Sequence, residues 1–135
     1  MHFLLDTNIC IYLMKGHTLQ VIERFRTTPL GQLLMSVVTY AELRHGVERC
    51  PPEDWAAADN ALQRFIERVT VLSFDEDAAK SYGALAAAVR DRSRDTMDRL
   101  IAAHAVSAGV TLVTNNEADF KDYPGLVVEN WAVSQ

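Results

Sequence analysis

The chain has 135 residues, enough for one ordinary domain with a single sizeable core. Hydrophobic residues make up 49% and charged residues 23%, which excludes a disordered chain, and no apolar run approaches the roughly 18 residues a membrane span needs. The formal net charge of −5 excludes a generic nucleic-acid sponge, because phosphate-driven binding scales with the lysines and arginines that displace counterions. With no basic leader ahead of a long apolar stretch, the sequence reads as cytoplasmic with no membrane attachment. Any action on nucleic acid therefore has to be local.

HFLL (2–5) is a short apolar run ending at Asp6 and Thr7, residue types that cap helices, and NICIYLM continues with apolar positions at helical spacing. A strand feeding a helix is the expectation. TLQVIERFRT (18–27) spaces Leu19, Val21, Ile22 and Phe25 as a helix, which PLG breaks. QLLMSVVTY (32–40) reads as a second strand, leading into the helical AELRHGVERC that the prolines at 51 and 52 stop. PEDWAAADNALQRFIERV is a helix with Trp55, Leu62, Phe65 and Ile66 inward. TVLSF (70–74) is a strand, and Asp75 has the place of an N-cap for EDAAKSYGALAAAVRD. After the polar RDRSRD (90–95) comes the apolar helix MDRLIAAHAVSAG, closed by Gly109. VTLVT (110–114) is a strand, EADF a helical turn, and GLVVEN (125–130) the last strand. Strands alternating with helices call for a parallel sheet covered on both faces, an α/β sandwich in one domain spanning 1–135. Cys10 and Cys50 lie in segments that read as helical, without zinc spacing, and have the character of small buried hydrophobes.

In such a sheet the functional crevice lies beyond the carboxyl ends of the strands. The first strand exits at Asp6, Thr7 and Asn8, and the second reaches Glu42 a helical turn beyond Ser36 and Thr39. The fourth exits at Thr114, Asn115 and Asn116, with Asp119 a short turn later, while Asp98 opens the helix before that strand. Oxygen ligands thus approach one rim where histidine and cysteine are missing, a donor set suited to Mg2+ or Mn2+. Carboxylates clustered there repel one another unless a divalent cation neutralises them.

Each residue also has a plainer reading. Asp6 serves as a helix N-cap, Glu42 as a solvated side chain, and Asp98 competes with Asp95 for the start of its helix. His104, six positions after Asp98, faces away from it on a helix and reads as a packed or exposed histidine. RDRSRD reads as a solvated loop, or as a set of phosphate grips with Arg99. An aspartyl-nucleophile phosphatase would need an aspartate two residues after Asp6, where Asn8 stands, and a receiver domain would need paired acids there.

LLDTNICIYLM, SVVTYAELRHG, DRLIAAHA and TLVTNNEADF, in that order, resemble the PIN-domain toxins of the VapC type, a likeness running from residue 2 to about 131. The resemblance implies a three-layer α/β/α sandwich with a short parallel sheet and an acidic pocket for Mg2+ or Mn2+. It also implies endoribonuclease activity on a structured RNA such as a tRNA, restraint by a VapB-type antitoxin, and a homodimer. The family's first three acids fall on Asp6, Glu42 and Asp98, with Asp6 and Asp98 as metal ligands. At the fourth place this sequence has an amide, Asn116, so one firmly held ion is expected, with Asp119 as a substitute donor. The polar, arginine-rich approach to Asp98 is a second departure. Thr7, Asn8, Thr114 and Asn116 would hydrogen-bond the ligands, Glu42 would orient a water or take its proton, and RNA would meet Arg92, Arg94 and Arg99. Arg24, Arg26, Arg44 and Arg49 are further candidates for a basic rim. The apolar faces around 9–14 and 42–66 offer a groove for an antitoxin segment bringing a basic residue to the carboxylates. The alternative is a non-catalytic PIN-fold module that binds RNA or a protein partner.

Overall fold

The computed structural model describes residues 1–89 and 96–132. In chain order the elements are β1 (Phe3–Leu5), α1 (Thr7–Lys15), α2 (Leu19–Thr27), β2 (Leu33–Ser36), α3 (Val37–Glu48), α4 (Pro52–Ile66), β3 (Thr70–Leu72), α5 (Glu76–Ala88), α6 (Thr96–Ala108), β4 (Thr111–Val113) and β5 (Val128–Glu129). Short 3-10 turns at Leu30–Gln32 and Glu117–Asp119 complete the description. The five strands form one sheet in the order β3-β2-β1-β4-β5, and every pair is parallel.

Alternation along these strands divides the core. Phe3, Leu5, Leu33, Met35 and Val113 pack with Ile9 and Cys10 of α1, Val21 and Phe25 of α2, Leu43 and Val47 of α3, and Leu62 and Phe65 of α4. Leu4, Leu34 and Leu112 pack on the opposite face with Leu85 of α5 and Ile101, Ala102, Ala103 and Ala105 of α6. Side chains buried on both faces explain why the strands read as near-continuous apolar runs rather than as alternating ones. The expected α/β/α sandwich is therefore the fold. Because the chain leaves β1 toward β2 on one side and returns to β4 on the other, the switch of strand order falls at β1. Asp6, the residue after β1, stands at that point.

Two expectations are corrected. The second strand stops at Ser36, and Val37–Tyr40 already belong to α3. Ser36 is extended at φ −71°, ψ 147°, and its hydroxyl accepts the Val38 N–H at 3.1 Å. A cap overrides the strand preference of two adjacent valines. Trp55 does not point inward: it is 38% exposed, and its indole N–H donates to Glu48 at 3.2 Å. The tryptophan in the core is Trp131, 1% exposed, edge-on to Phe3 with ring centroids 5.5 Å apart. Asp75 caps α5 as expected, accepting the Ala78 N–H at 2.9 Å, and Gly109, at φ 68°, ends α6. Cys10 and Cys50 are both free, the first in α1 and the second just beyond α3. Among the described residues no helix is long and apolar enough to cross a membrane.

Candidate active site

Asp6 is the fixed point. Its backbone N–H donates to Val113 at 3.0 Å, continuing the β1–β4 ladder one residue past the strand, and its extended conformation (φ −74°, ψ 171°) then turns the chain into α1. The side chain accepts the Ile9 N–H at 2.8 Å, so the plainer N-cap reading of Asp6 is correct as far as it goes. A cap residue is ordinarily solvated, whereas Asp6 is 4% exposed. Burial pushes its carboxyl up to about 6, against the opposing hydrogen bonds from Thr114 and Ile9, and the negative charges of Glu42 and Asp119 push the same way. Glu42 and Asp119 are 36 and 113 positions away in sequence, yet the fold brings both within electrostatic reach of Asp6.

Glu42 lies half-buried on α3. The Thr7 hydroxyl donates to its Oε1 in a short hydrogen bond and lies 3.2 Å from the Thr39 hydroxyl. With its one proton committed to the carboxylate, Thr7 accepts from Thr39. Thr39 is fully buried, so a hydroxyl relay links the first turn of α1 to α3 and fixes the Glu42 carboxylate. Asn8, on the same turn of α1 as Thr7, is exposed.

Beyond β4 the Thr114 hydroxyl accepts the Asn116 N–H at 3.0 Å, and the Asn116 amide nitrogen donates to Asp119 Oδ2 at 2.7 Å. This gives the amide at position 116 a physical sense. A second carboxylate there would repel Asp119, whereas the amide holds it, and it is Asp119 whose charge reaches Asp6. Asn115, between them, has a buried Oδ1 with no hydrogen-bond partner among the described residues.

Asp98 lies in the first turn of α6, half-buried. Tyr123 and Tyr82, near the adjacent Arg99, raise its already high pKa. Arg92 and Arg94 lie outside the described residues, as do Arg90 and Asp95. Two other arginines expected in a basic rim are engaged with acids, Arg24 with Glu129 and Arg44 with Asp59 and Glu48. Burial holds the Cys10 thiol well above its ordinary pKa, the charge of Asp6 pushes the same way, and Sγ faces the Leu5 carbonyl at 3.9 Å. It is a protonated core thiol and no soft ligand. Among the described residues, no group of three or more His, Cys, Asp or Glu side chains is drawn together closely enough to hold a metal ion. The donor chemistry nonetheless fits a hard divalent cation. A buried carboxylate shifted to about 6 by its surroundings carries negative charge that the protein leaves uncompensated.

A short parallel sheet with carboxylates gathered beyond its switch point defines an α/β domain suited to cation-assisted phosphate chemistry. Comparison with known proteins gives that class its family. The PIN domain model matches residues 3–126. The tRNA(fMet)-specific endonuclease VapC of Shigella flexneri is 36% identical over 132 residues, which cover 96% of this chain and 98% of that protein. VapBC from Salmonella typhimurium, solved bound to DNA, aligns with a TM-score of 0.88 at 33% identity, covering 97% of this chain and 98% of the other. VapBC-1 from nontypeable Haemophilus influenzae aligns with a TM-score of 0.88 at 33% identity, covering 98% and 100%. The chain belongs to the PIN-domain family, in its VapC ribonuclease branch.

Proposed function

We propose that this chain is a divalent-metal-dependent endoribonuclease, the toxin of a toxin–antitoxin pair, acting on a structured RNA of the tRNA class. The observation that carries the reading is the state of Asp6: buried at the switch point, with its pKa raised to about 6 partly by the charges of Glu42 and Asp119. The name of the Shigella flexneri relative supports a tRNA substrate.

Asp6 and Asp98, with Asp119 in place of a fourth acid, would hold Mg2+ or Mn2+ directly or through water. When bound, the cation would supply positive charge against the attacked phosphate and lower the pKa of water held on it. The remaining roles belong to the chain. Ile9 N–H and Thr114 keep the Asp6 carboxylate oriented, Thr7 fixes Glu42, and Glu42 aligns the attacking water and takes its proton. The Asn116 amide keeps Asp119 turned toward the cluster. Attack by water in line with the leaving 3′-oxygen leaves a 5′-phosphate and a 3′-hydroxyl. A purified tRNA incubated with the protein should be cut only while Mg2+ or Mn2+ is present, with EDTA stopping it. Mapping of the ends decides the mechanism, since a 2′,3′-cyclic phosphate would exclude attack by water.

Glu42→Gln keeps the shape and removes the base. Its kcat should fall by about 10²–10⁴ with KM little changed, the range that loss of a general base produces. A Glu42→Gln enzyme with unaltered kcat in single-turnover cleavage would take Glu42 out of the chemistry.

Antitoxin control is supported by a groove of about 400 Å³ between α1, α3 and α4, lined by Ile11, Met14, Leu43 and Val47 and reaching Glu42. An apolar segment laid there ends beside the carboxylates, where a basic side chain would replace the cation's charge. VapBC structures among its neighbours support a VapB-type partner for this chain.

A further inference from the structure

We infer that His104, joined to Ser36, is a positioning residue for the proposed nuclease reaction, fastening α6 to the start of α3 so that Asp98 and Glu42 keep their separation. The inference rests on the nuclease reading and adds a role for two residues outside the acidic cluster.

Both residues are hidden: Ser36 is fully buried and His104 is 3% exposed. His104 Nδ1 lies 2.7 Å from the Ser36 hydroxyl oxygen, across 68 positions of sequence. Ser36 is the last residue of β2 and the N-cap of α3, where its oxygen accepts the Val38 N–H at 3.1 Å. The imidazole packs edge-on against Phe74, with ring centroids 5.3 Å apart. Burial lowers its pKa, against the charge of Asp75 and the backbone of Ser73, so the ring is neutral at pH 7. A neutral ring has one N–H and one acceptor nitrogen. The Ser36 oxygen already accepts from Val38, which leaves its hydroxyl proton for Nδ1 to accept.

The clasp ties the exit of β2 to the middle of α6. Its two ends are placed alike with respect to the acids. Ser36 is six residues before Glu42 on α3, and His104 is six residues after Asp98 on α6. Each spacing is about one and two-thirds helical turns, roughly 9 Å of rigid rod. A shift of α6 against α3 therefore moves Asp98 against Glu42 directly, and a misplacement of about 1 Å at a reacting centre is worth as much as 10²-fold in rate. A histidine filling space alone would not need a buried serine hydroxyl at 2.7 Å.

The test compares His104→Leu, His104→Asn, Ser36→Ala and the double variant, with single-turnover cleavage of a tRNA transcript in Mn2+ and thermal melting of each protein. His104→Leu and Ser36→Ala should each lower kcat 10- to 100-fold with KM changed less than twofold. His104→Asn, which retains an acceptor near the position of Nδ1, should recover most of the rate. The double variant should be no slower than the worse single one, because one bond is broken in both. Losses that multiply, or a KM effect in place of a kcat effect, would overturn the clasp. If His104→Leu fails to fold, Ser36→Ala, which removes one oxygen, decides alone, and wild-type kcat there also overturns it. Asp6→Asn run in parallel separates the two ideas: cleavage surviving that change refutes the nuclease reading, whereas a dead Asp6→Asn beside a fully active Ser36→Ala refutes only the clasp.

Discussion

Replacing Asp6 by asparagine is expected to abolish RNA cleavage, by 10³-fold or more, and to make the metal-free protein more stable at pH 7. The two effects share a cause. Asparagine retains the oxygen that accepts the Ile9 N–H, so the cap of α1 survives. What disappears is a charge that burial and the carboxylates of Glu42 and Asp119 oppose. A carboxyl whose folded-state pKa is about 6, against 3.8 for the ordinary group, binds its proton more tightly folded than unfolded. Its contribution to stability is fully present below about pH 4 and is lost as the pH rises through 6. The difference corresponds to about 3 kcal/mol at most, on a side chain exposed by only 4%. Asp6→Asn should therefore melt several degrees above the wild type at pH 7 in EDTA, with the gap closing toward pH 4. Adding Mn2+ should raise the melting temperature of the wild type and leave the variant where it was. A variant that melts lower than wild type at pH 7, or that still cuts RNA, would contradict the account of Asp6. Stability sacrificed at a functional carboxylate is the expected exchange in an active site.

How much of this was legible in the sequence depends on whether the cause is local. Asp6 announces itself because a polar triplet interrupts an apolar run, and Asp75 because a capping aspartate precedes a helical pattern; both act within three residues, on Ile9 and Ala78. The end of β2 was not legible. Ser36 and the valines that follow support strand and helix alike, and only the Val38 hydrogen bond decides. Among the acids, the gathering of Glu42 and Asp119 around Asp6 is a product of the parallel sheet. Position 119 looked like a substitute for the missing fourth carboxylate, and the Asn116 amide turns out to hold it. His104 was recognisable only as packed or exposed, because its partner Ser36 is 68 residues away. The pairing of Arg24 and Arg44, expected in a basic rim, was hidden for the same reason, since their acids, Glu129 and Asp59, come from other elements.

The two tryptophans carry the second large expected effect. Helical spacing alone puts Trp55 inward, yet α4 already meets the core through Leu62 and Phe65, and Trp55 is left 38% exposed with its N–H on Glu48. Trp131, in a stretch with no helical or strand periodicity to recommend it, fills the core beside Phe3 of β1. Its indole N–H donates to Glu129 Oε1 at 2.9 Å, and Arg24, paired with the same carboxylate, lies 5.0 Å above the ring. Trp131→Ala should consequently lower unfolding free energy by about 3–5 kcal/mol, against less than about 1 kcal/mol for Trp55→Ala. Total stabilities of about 5–15 kcal/mol make the first loss severe. Truncation after Leu126 should be worse still, because it removes β5 from the sheet edge together with the ring that packs on Phe3. Phe3 begins the strand whose far end presents Asp6, so damage at one end of β1 reaches the proposed site at the other. Urea midpoints for the two alanine variants decide between the tryptophans: equal losses would mean that Trp131 is not the core residue its burial makes it.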